Sequence, residues 1–387
     1  MKKLLVFSPY YPPHIGGLES HAAEFNKNII GEGYDVTVFT SNIPESINDE
    51  KLLMENKSIR IIRFPAFELI PNYPIPKFWK TVFYQQLFFL AKSDFSVVIS
   101  RTRFFISTLM AMVFAKVMKK HWLHIEHGSD FPKMRNKIMG FVSWLYDWVI
   151  GRLVFAFADV VVCNSKASAN FAKKLYGGRE YLTVYRGINE EKIANVKALK
   201  KEDLGYNGKV IVSYLGRLIG GKGVADLLEA VAELGNLSVV CWIIGDGPER
   251  QNLERLVHKL NIAHKIVFWG EKSFSDAIGL LKTSDIFVNP SYTEGMPTAV
   301  IEAALCRLAI IATKVGGTKE ILNEENEVIF FFPHEIQAIS RAIKKLTESV
   351  SMRGGMGDNA YKAVIGKFCW GKSMKQYKNI LEKMELG

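Results

Sequence analysis

Cysteine is scarce in this 387-residue chain. There are four, Cys163, Cys241, Cys306 and Cys369, far apart and never in a C-x-x-C pair. That excludes a zinc ribbon and speaks against a disulfide framework; buried thiols in a reducing compartment fit better. Low-complexity tracts and internal repeats are missing, so fibrous and solenoid architectures drop out. A clean membrane span is missing too. The most apolar region, residues 139–163, carries Asp147, Arg152 and Asp159, a poor composition for a bilayer interior. The opening apolar run, 4–7, is too short for a signal peptide and meets Pro9, Pro12 and Pro13 at once. It reads as a first strand, and the chain is expected in the cytoplasm.

Negative charge is in deficit. Against 50 Lys and Arg stand 39 Asp and Glu, a net +11. Residues 1–190 hold 24 cations and 16 anions, or +8, and the remainder only +3. A basic first half suggests an anionic partner, such as a phosphorylated lipid, a membrane face or nucleic acid; a solvated basic surface gives the same count.

What the chain has in abundance is alternation. Short apolar runs at 4–7, 35–40, 96–100, 121–126 and 159–163 read as strands separated by amphipathic helices, one of them at 18–30 and another capped by Ser165. The pattern restarts with strands at 210–215, 237–244, 265–269, 285–289 and 308–313. Strands alternating with helices imply parallel sheets covered on both faces, and two series imply two doubly wound α/β domains. The expected division is 1–190, a lysine-rich linker 191–208, a second domain 209–365, and a terminal helix 366–387 crossing back to the first. Ligands of such sheets bind at the carboxyl ends of strands, and with two sheets the expected place is a cleft between them.

Two loops stand at such ends. The strand 210–215 runs into Gly216-Arg217-Leu218-Ile219-Gly220-Gly221-Lys222-Gly223 and then a helix. Glycines admit a ligand close to the backbone, Arg217 and Lys222 supply charge, and the helix start supplies N–H groups, an arrangement suited to a diphosphate. Gly216, Gly221 and Lys222 nearly match a P-loop, but Gly223 stands where that motif has a hydroxyl for Mg²⁺. The strand 285–289 runs into Pro290-Ser291-Tyr292-Thr293-Glu294-Gly295-Met296-Pro297 and a helix over 298–306. Gly295 permits close approach, and Pro297 suits a first helical turn. Glu294 and Glu302 are better placed to accept hydrogen bonds from hydroxyls than to meet phosphate.

The run Glu294-Gly-Met-Pro to Glu302 resembles the E-x₇-E element of the retaining glycosyltransferases of family 4, which share the two-Rossmann GT-B fold. Gly16-Gly17-Leu18-Glu19 resembles that family's N-terminal glycine loop, Gly216-Arg217 to Lys222-Gly223 its diphosphate pair, and Gly245-Asp246-Gly247 its second-strand loop. Val315-Gly316-Gly317 and Phe368-Cys369-Trp370 resemble later landmarks. The resemblance implies transfer of a sugar from a nucleoside-diphosphate donor with no metal required for catalysis. It implies that Arg217 and Lys222 hold the diphosphate, that Glu294 and the amides of Gly295 and Met296 face the sugar, and that Glu302 binds the ribose. Gly16 and Gly17 would approach the β-phosphate, and His127 would lie near the donor sugar. At Arg186-Gly187 the chain departs from the family's Asn-Gly.

The triplet His121, His124 and His127 is not expected to bind metal, since alternate residues of a strand point to opposite faces. His14 and His21 are expected to be structural or surface residues. The acceptor, a glycan or lipid-linked hydroxyl, is expected on the first domain, where 73–92 and 133–157 are aromatic and basic. One of these stretches is expected to touch an anionic membrane, on the inner face of the cell membrane, and no nucleic acid is expected as partner. Competing readings are another enzyme on the same scaffold, such as a sugar-nucleotide epimerase or a phosphorylase, and a P-loop ATPase or nucleotide binder.

Overall fold

The computed structural model describes residues 2–14, 16–44, 58–70, 72–131, 137–323 and 325–386. Lys133, which opens the second aromatic stretch, lies outside them. The chain divides into two compact units, Met1–Gly187 with Trp370–Gly387, and Ile188–Cys369.

The first unit holds β1 (Lys2–Phe7), β2 (Tyr34–Ser41), β3 (Ile59–Phe64), β4 (Ala66–Ile70), β5 (Tyr73–Pro76), β6 (Val97–Arg101), β7 (His121–Glu126), β8 (Val160–Cys163) and β9 (Leu182–Thr183). Seven of these form one sheet in the order β3-β2-β1-β6-β7-β8-β9, and β4 and β5 form an antiparallel hairpin. The paired strands of the large sheet run parallel. Their side chains are buried on both faces, which is why the strands read as unbroken apolar runs. One face packs on helix Gly17–Ile30 and the terminal helix Trp370–Leu386 through Phe25, Trp370, Met374 and Tyr377. The other packs on helices Thr81–Ala91, Ile106–Val117, Lys137–Phe157 and Lys166–Leu175 through Phe83, Phe114, Phe155 and Leu175.

The second unit holds β10 (Val210–Leu215), β11 (Val239–Ile244), β12 (Ile266–Gly270), β13 (Ile286–Asn289), β14 (Ala309–Thr313) and β15 (Val328–Phe331), ordered β12-β11-β10-β13-β14-β15. The order reverses between β10 and β13, a topological switch point, where α/β sheets open a crevice for ligands. In the first unit the reversal falls between β1 and β6.

Several boundaries differ from the sequence reading. The stretch expected to link the domains is fastened to the second unit: the Lys282 ammonium donates to the carbonyls of Ala194 and Val196, and the Leu199 amide donates to Thr283. Strand β9 is only two residues long, and β3, β4, β5 and β15 have no counterpart in the reading. The terminal helix spans Trp370–Leu386 and belongs to the first unit, as expected; it follows helix Val350–Val364 of the second unit after a break at Gly366 with φ 67°. Ser165 caps its helix as expected, accepting from the Ser168 amide at 3.0 Å.

Candidate active site

In the second unit, β10 and β13 lie side by side in the sheet, with Val212 opposite Ile286 and Ser213 opposite Phe287. Their loops therefore leave from the same edge. The Tyr292 amide donates to the Gly221 carbonyl at 2.8 Å, binding one loop to the other. Lys222 Nζ donates to Glu294 Oε1 at 2.6 Å, with both side chains partly buried. The residues that sequence reasoning gave to the phosphate and to the sugar are thus in direct contact. Arg217 is half-buried in the turn after β10, and its carbonyl accepts from the Tyr214 hydroxyl at 3.1 Å. Burial, and then the nearby Glu294 carboxylate, push the Tyr214 phenol far above its ordinary value.

Two glycines are fixed by sterics. Gly223 sits at φ 64°, and a Cβ there would lie 2.0 Å from the Pro290 carbonyl oxygen. A Ser or Thr, as a P-loop requires, does not fit without moving the β13 loop. Gly245 sits at φ 131° with its Cβ position 2.0 Å from the Gly216 carbonyl oxygen, so the loops after β10 and β11 touch backbone to backbone. The Leu218 amide donates to Asp246 and the Glu249 amide to Leu218, at 2.8 and 3.0 Å.

On the β13 side, the Gly295 carbonyl accepts from the Gly317 amide at 3.1 Å, joining this loop to the Val315-Gly316-Gly317 turn. Met296 is buried, and Pro297 precedes helix Thr298–Leu305 as its cap rather than forming its first turn. Glu302 is half-buried inside that helix. The first amides of a helix lack intrahelical acceptors and face its N-terminal loop. A further group was not legible: the Tyr292 hydroxyl donates to Asp226 at 2.8 Å, and the Tyr292 and His334 rings lie 4.1 Å apart.

In the first unit, Gly16 and Gly17 follow β1 and open helix Gly17–Ile30, whose cap makes no side-chain hydrogen bond. His127 follows β7 and is not part of it. Its ring meets His21 edge to face at 4.8 Å, and Asn164 Nδ2 lies 3.4 Å from its Nδ1. Burial, then the Arg101 charge, lower the His127 pKa to about 3. His21 was expected to be a structural or a surface residue, and surface is the part the structure overturns. It is buried instead, 3.0 Å from Arg101 Nη1 and stacked at an angle on Trp370. Burial, followed by His127 and Arg101, holds it neutral. Arg101 is fully buried over the Phe25 ring. Its signal in the sequence was a cation ending an apolar strand.

Behind His127 lies a buried polar network. Arg103 pairs with Glu126 at 3.1 Å and Asp147 at 2.8 Å, and the Gly128 amide donates to Glu126 at 2.6 Å. Burial opposes ionisation of Glu126, but Arg103, His124 and that amide more than offset it and hold its carboxyl far below the usual range. His124 is buried between Ser100 at 2.9 Å and Glu126 at 3.3 Å. Among the described residues no three His, Cys, Asp or Glu side chains are grouped to hold a metal.

Comparison with known proteins gives consistent answers. A family model described as Glycosyltransferase Family 4 matches residues 15–192, and one described as Glycosyl transferases group 1 matches 196–363. A protein of Methanocaldococcus jannaschii named as an uncharacterised glycosyltransferase is 35% identical over 99% of this chain and 98% of its own length. TuaC of Bacillus subtilis, named as a putative teichuronic acid biosynthesis glycosyltransferase, is 31% identical over 56% of this chain and 54% of its own. Among solved structures, Anabaena HepE in complex with UDP and glucose superposes with a TM-score of 0.80 at 18% identity, covering 99% of this chain and 100% of that one.

Proposed function

The chain belongs to glycosyltransferase family 4 and has its GT-B fold, and from that premise we propose a specific transfer. A hexose-type sugar moves from a nucleoside-diphosphate sugar to a hydroxyl of a glycan or lipid-linked acceptor, with retention at the anomeric carbon. The setting is assembly of a cell-surface polysaccharide or glycolipid, the kind of process for which TuaC is named.

The observation that carries this reading is the Lys222–Glu294 contact at the switch point. In a sugar nucleotide the sugar hangs directly on the distal phosphate. A cation for that phosphate and a carboxylate for the sugar hydroxyls must therefore be neighbours. Lys222 and Arg217 would neutralise the charge that builds on the leaving diphosphate, and the amides of Gly295 and Met296 at the helix start would add fixed donors. Glu294 would orient the sugar and Glu302 would accept from the ribose. Gly216, Gly245 and Pro297 shape the backbone that approaches the donor. Gly16, Gly17 and His127 take their donor-side roles from the family resemblance. With cations and amides in place, transfer needs no metal and should persist in EDTA.

Thermal-shift screening of UDP, GDP and ADP, then of their sugars, tests the donor. UDP sugars come first, given the ligand of HepE. Lys222→Ala and Glu294→Ala should each lower transfer by roughly a hundredfold or more with melting little changed; full activity in either overturns the assigned roles. The P-loop alternative predicts magnesium-dependent hydrolysis without sugar, and Gly223 opposes it sterically.

Membrane contact is the second part of the proposal. By length and composition residues 140–157 could cross a bilayer, but Asp147 is buried on Arg103, and Val154 and Phe155 lie in the core. The helix is therefore docked on its sheet, and its outer side exposes Phe141, Trp144, Trp148 and Phe157. Trp79 and Phe88 are exposed on the other aromatic stretch. Within 78–92 and 140–157 Asp147 is the only acid, so both outer faces offer apolar and cationic groups, as an anionic membrane surface requires. Absence of co-sedimentation with anionic vesicles at low salt would refute this part.

A further inference from the structure

Arg186 stands where the family resemblance leads one to expect asparagine, and the structure shows what it touches. Its Nη1 donates to the Gly17 carbonyl at 2.8 Å, across 169 residues of sequence. That carbonyl belongs to the first residue of helix Gly17–Ile30, at a glycine-rich start with few side chains of its own to hold it. Gly16 and Gly17 have no side chains, and the helix start lacks a capping side chain. The local ties from the helix are the Ser20 amide, which donates to the Gly16 carbonyl at 3.0 Å, and the Glu19 carboxylate, which lies 2.9 Å from His14 Nδ1 and folds back until a Cβ on Gly16 would lie 2.2 Å from it.

Arg186 is itself well anchored. The Ser373 hydroxyl donates to the Tyr185 carbonyl at 2.8 Å. Gly187 lies against Trp370, where a Cβ would come within 2.4 Å of the indole. The terminal helix therefore holds 185–187, and Arg186 passes that constraint to the glycine loop.

We propose that Arg186 is a positioning residue of the transfer site: its guanidinium clamps the Gly17 carbonyl and fixes the Gly16-Gly17 turn beside His127. The inference rests on the glycosyltransferase reading for its consequence but not for its geometry. Arg186 also adds a cation to the surroundings of His127. Facing that ring are His21 from the first helix, Arg101 from β6, His124 and Glu126 from β7, and Asn164 after β8. Glu126 is the only anion among them and is already paired with Arg103. Burial and Arg101 contribute most to keeping His127 neutral, and Arg186 acts in the same direction.

Hydrogen–deuterium exchange on the full chain tests the clamp without any substrate. In Arg186→Gln, the amides of Ser20 and His21, the helix donors to the Gly16 and Gly17 carbonyls, should exchange at least about tenfold faster, the scale of one charge-assisted hydrogen bond. Exchange in β7 serves as the control for folding. Unchanged exchange at Ser20 and His21 overturns the clamp. The second readout is the pH profile of kcat/KM: with the Arg186 charge gone, His127 protonates more readily, and the acidic limb should move to higher pH. Arg186→Lys retains the charge and should leave that limb in place. An unmoved limb in Arg186→Gln overturns the link to His127. Failure of the wild-type chain to transfer sugar from any nucleotide donor would sink the functional reading instead, while the exchange result still decides the clamp.

Discussion

In the second unit the residues at the switch point are half-buried, of opposite sign, and mounted on backbone turns. Lys222 and Glu294 meet at the edge of the sheet, and glycines bring the loops together. In the first unit the corresponding edge is dominated by cations and imidazoles: Arg101 and His21 are buried, and His127 and Arg186 are half-buried. The two edges share an architecture and differ in what they can do. A half-buried pair of opposite charges can exchange one partner for a ligand at modest desolvation cost. In the first unit, burial and the neighbouring arginines instead disfavour the protonated imidazoles and keep His21 and His127 neutral.

The sharpest way to break this contrast is Arg103→Met. It leaves Glu126 and Asp147 buried without their cation, which should cost the first unit roughly 3–5 kcal/mol, read by chemical denaturation with exchange to localise the loss. A change under ~1 kcal/mol would mean the network is not what holds the His127 loop. Next, Lys222→Ala should lower kcat by a factor of roughly 10²–10³ while shifting stability little, because the pair is partly solvated. Gly223→Ser should destabilise the second unit by roughly 2–3 kcal/mol, from the left-handed backbone and the clash with Pro290, and should create no nucleotide hydrolysis. Hydrolysis gained on adding that hydroxyl would revive the P-loop reading.

The smallest effect is in pH. The His127 pKa is depressed to about 3 by burial, then by Arg101. The unfolded chain therefore binds the proton first, and stability falls as pH drops below the unfolded histidine value of about 6.5. Between pH 7 and 5.5 this one group should contribute a loss of about 1 kcal/mol. His21 and His124 are shifted the same way by burial. Asp147 opposes them: burial raises its pKa to about 6 against the pull of Arg103, so its protonation on acidification favours the folded state. Exchange in the first unit should therefore rise on mild acidification more than in the second; equal rises would erase the contrast.

Much of the fold was legible, because strands buried on both faces must be written as continuous apolar runs. The strands that escaped include β3 to β5, with proline-bearing β5 (Tyr-Pro-Ile-Pro) and a hairpin of mixed exposure whose pattern follows neither period cleanly, and the four-residue β15. Most of the second unit's site lies in local strand–glycine–helix sequences and could be read from them. The first unit's site could not. His21 faces inward from a helix of ordinary amphipathic pattern, Arg101 looks like the end of a strand, and the partner of Arg186 is 169 residues away.

By itself the sequence determined the two series of parallel strands, the glycine turns at their carboxyl ends and the chemical type of each loop, since all of these follow from local sterics and burial period. Only the tertiary structure decided that β10 lies beside β13, so that Lys222 meets Glu294, and that the terminal helix holds Arg186 over Gly17. Strand order and long-range side-chain pairs depend on how whole layers pack, and no local propensity encodes them.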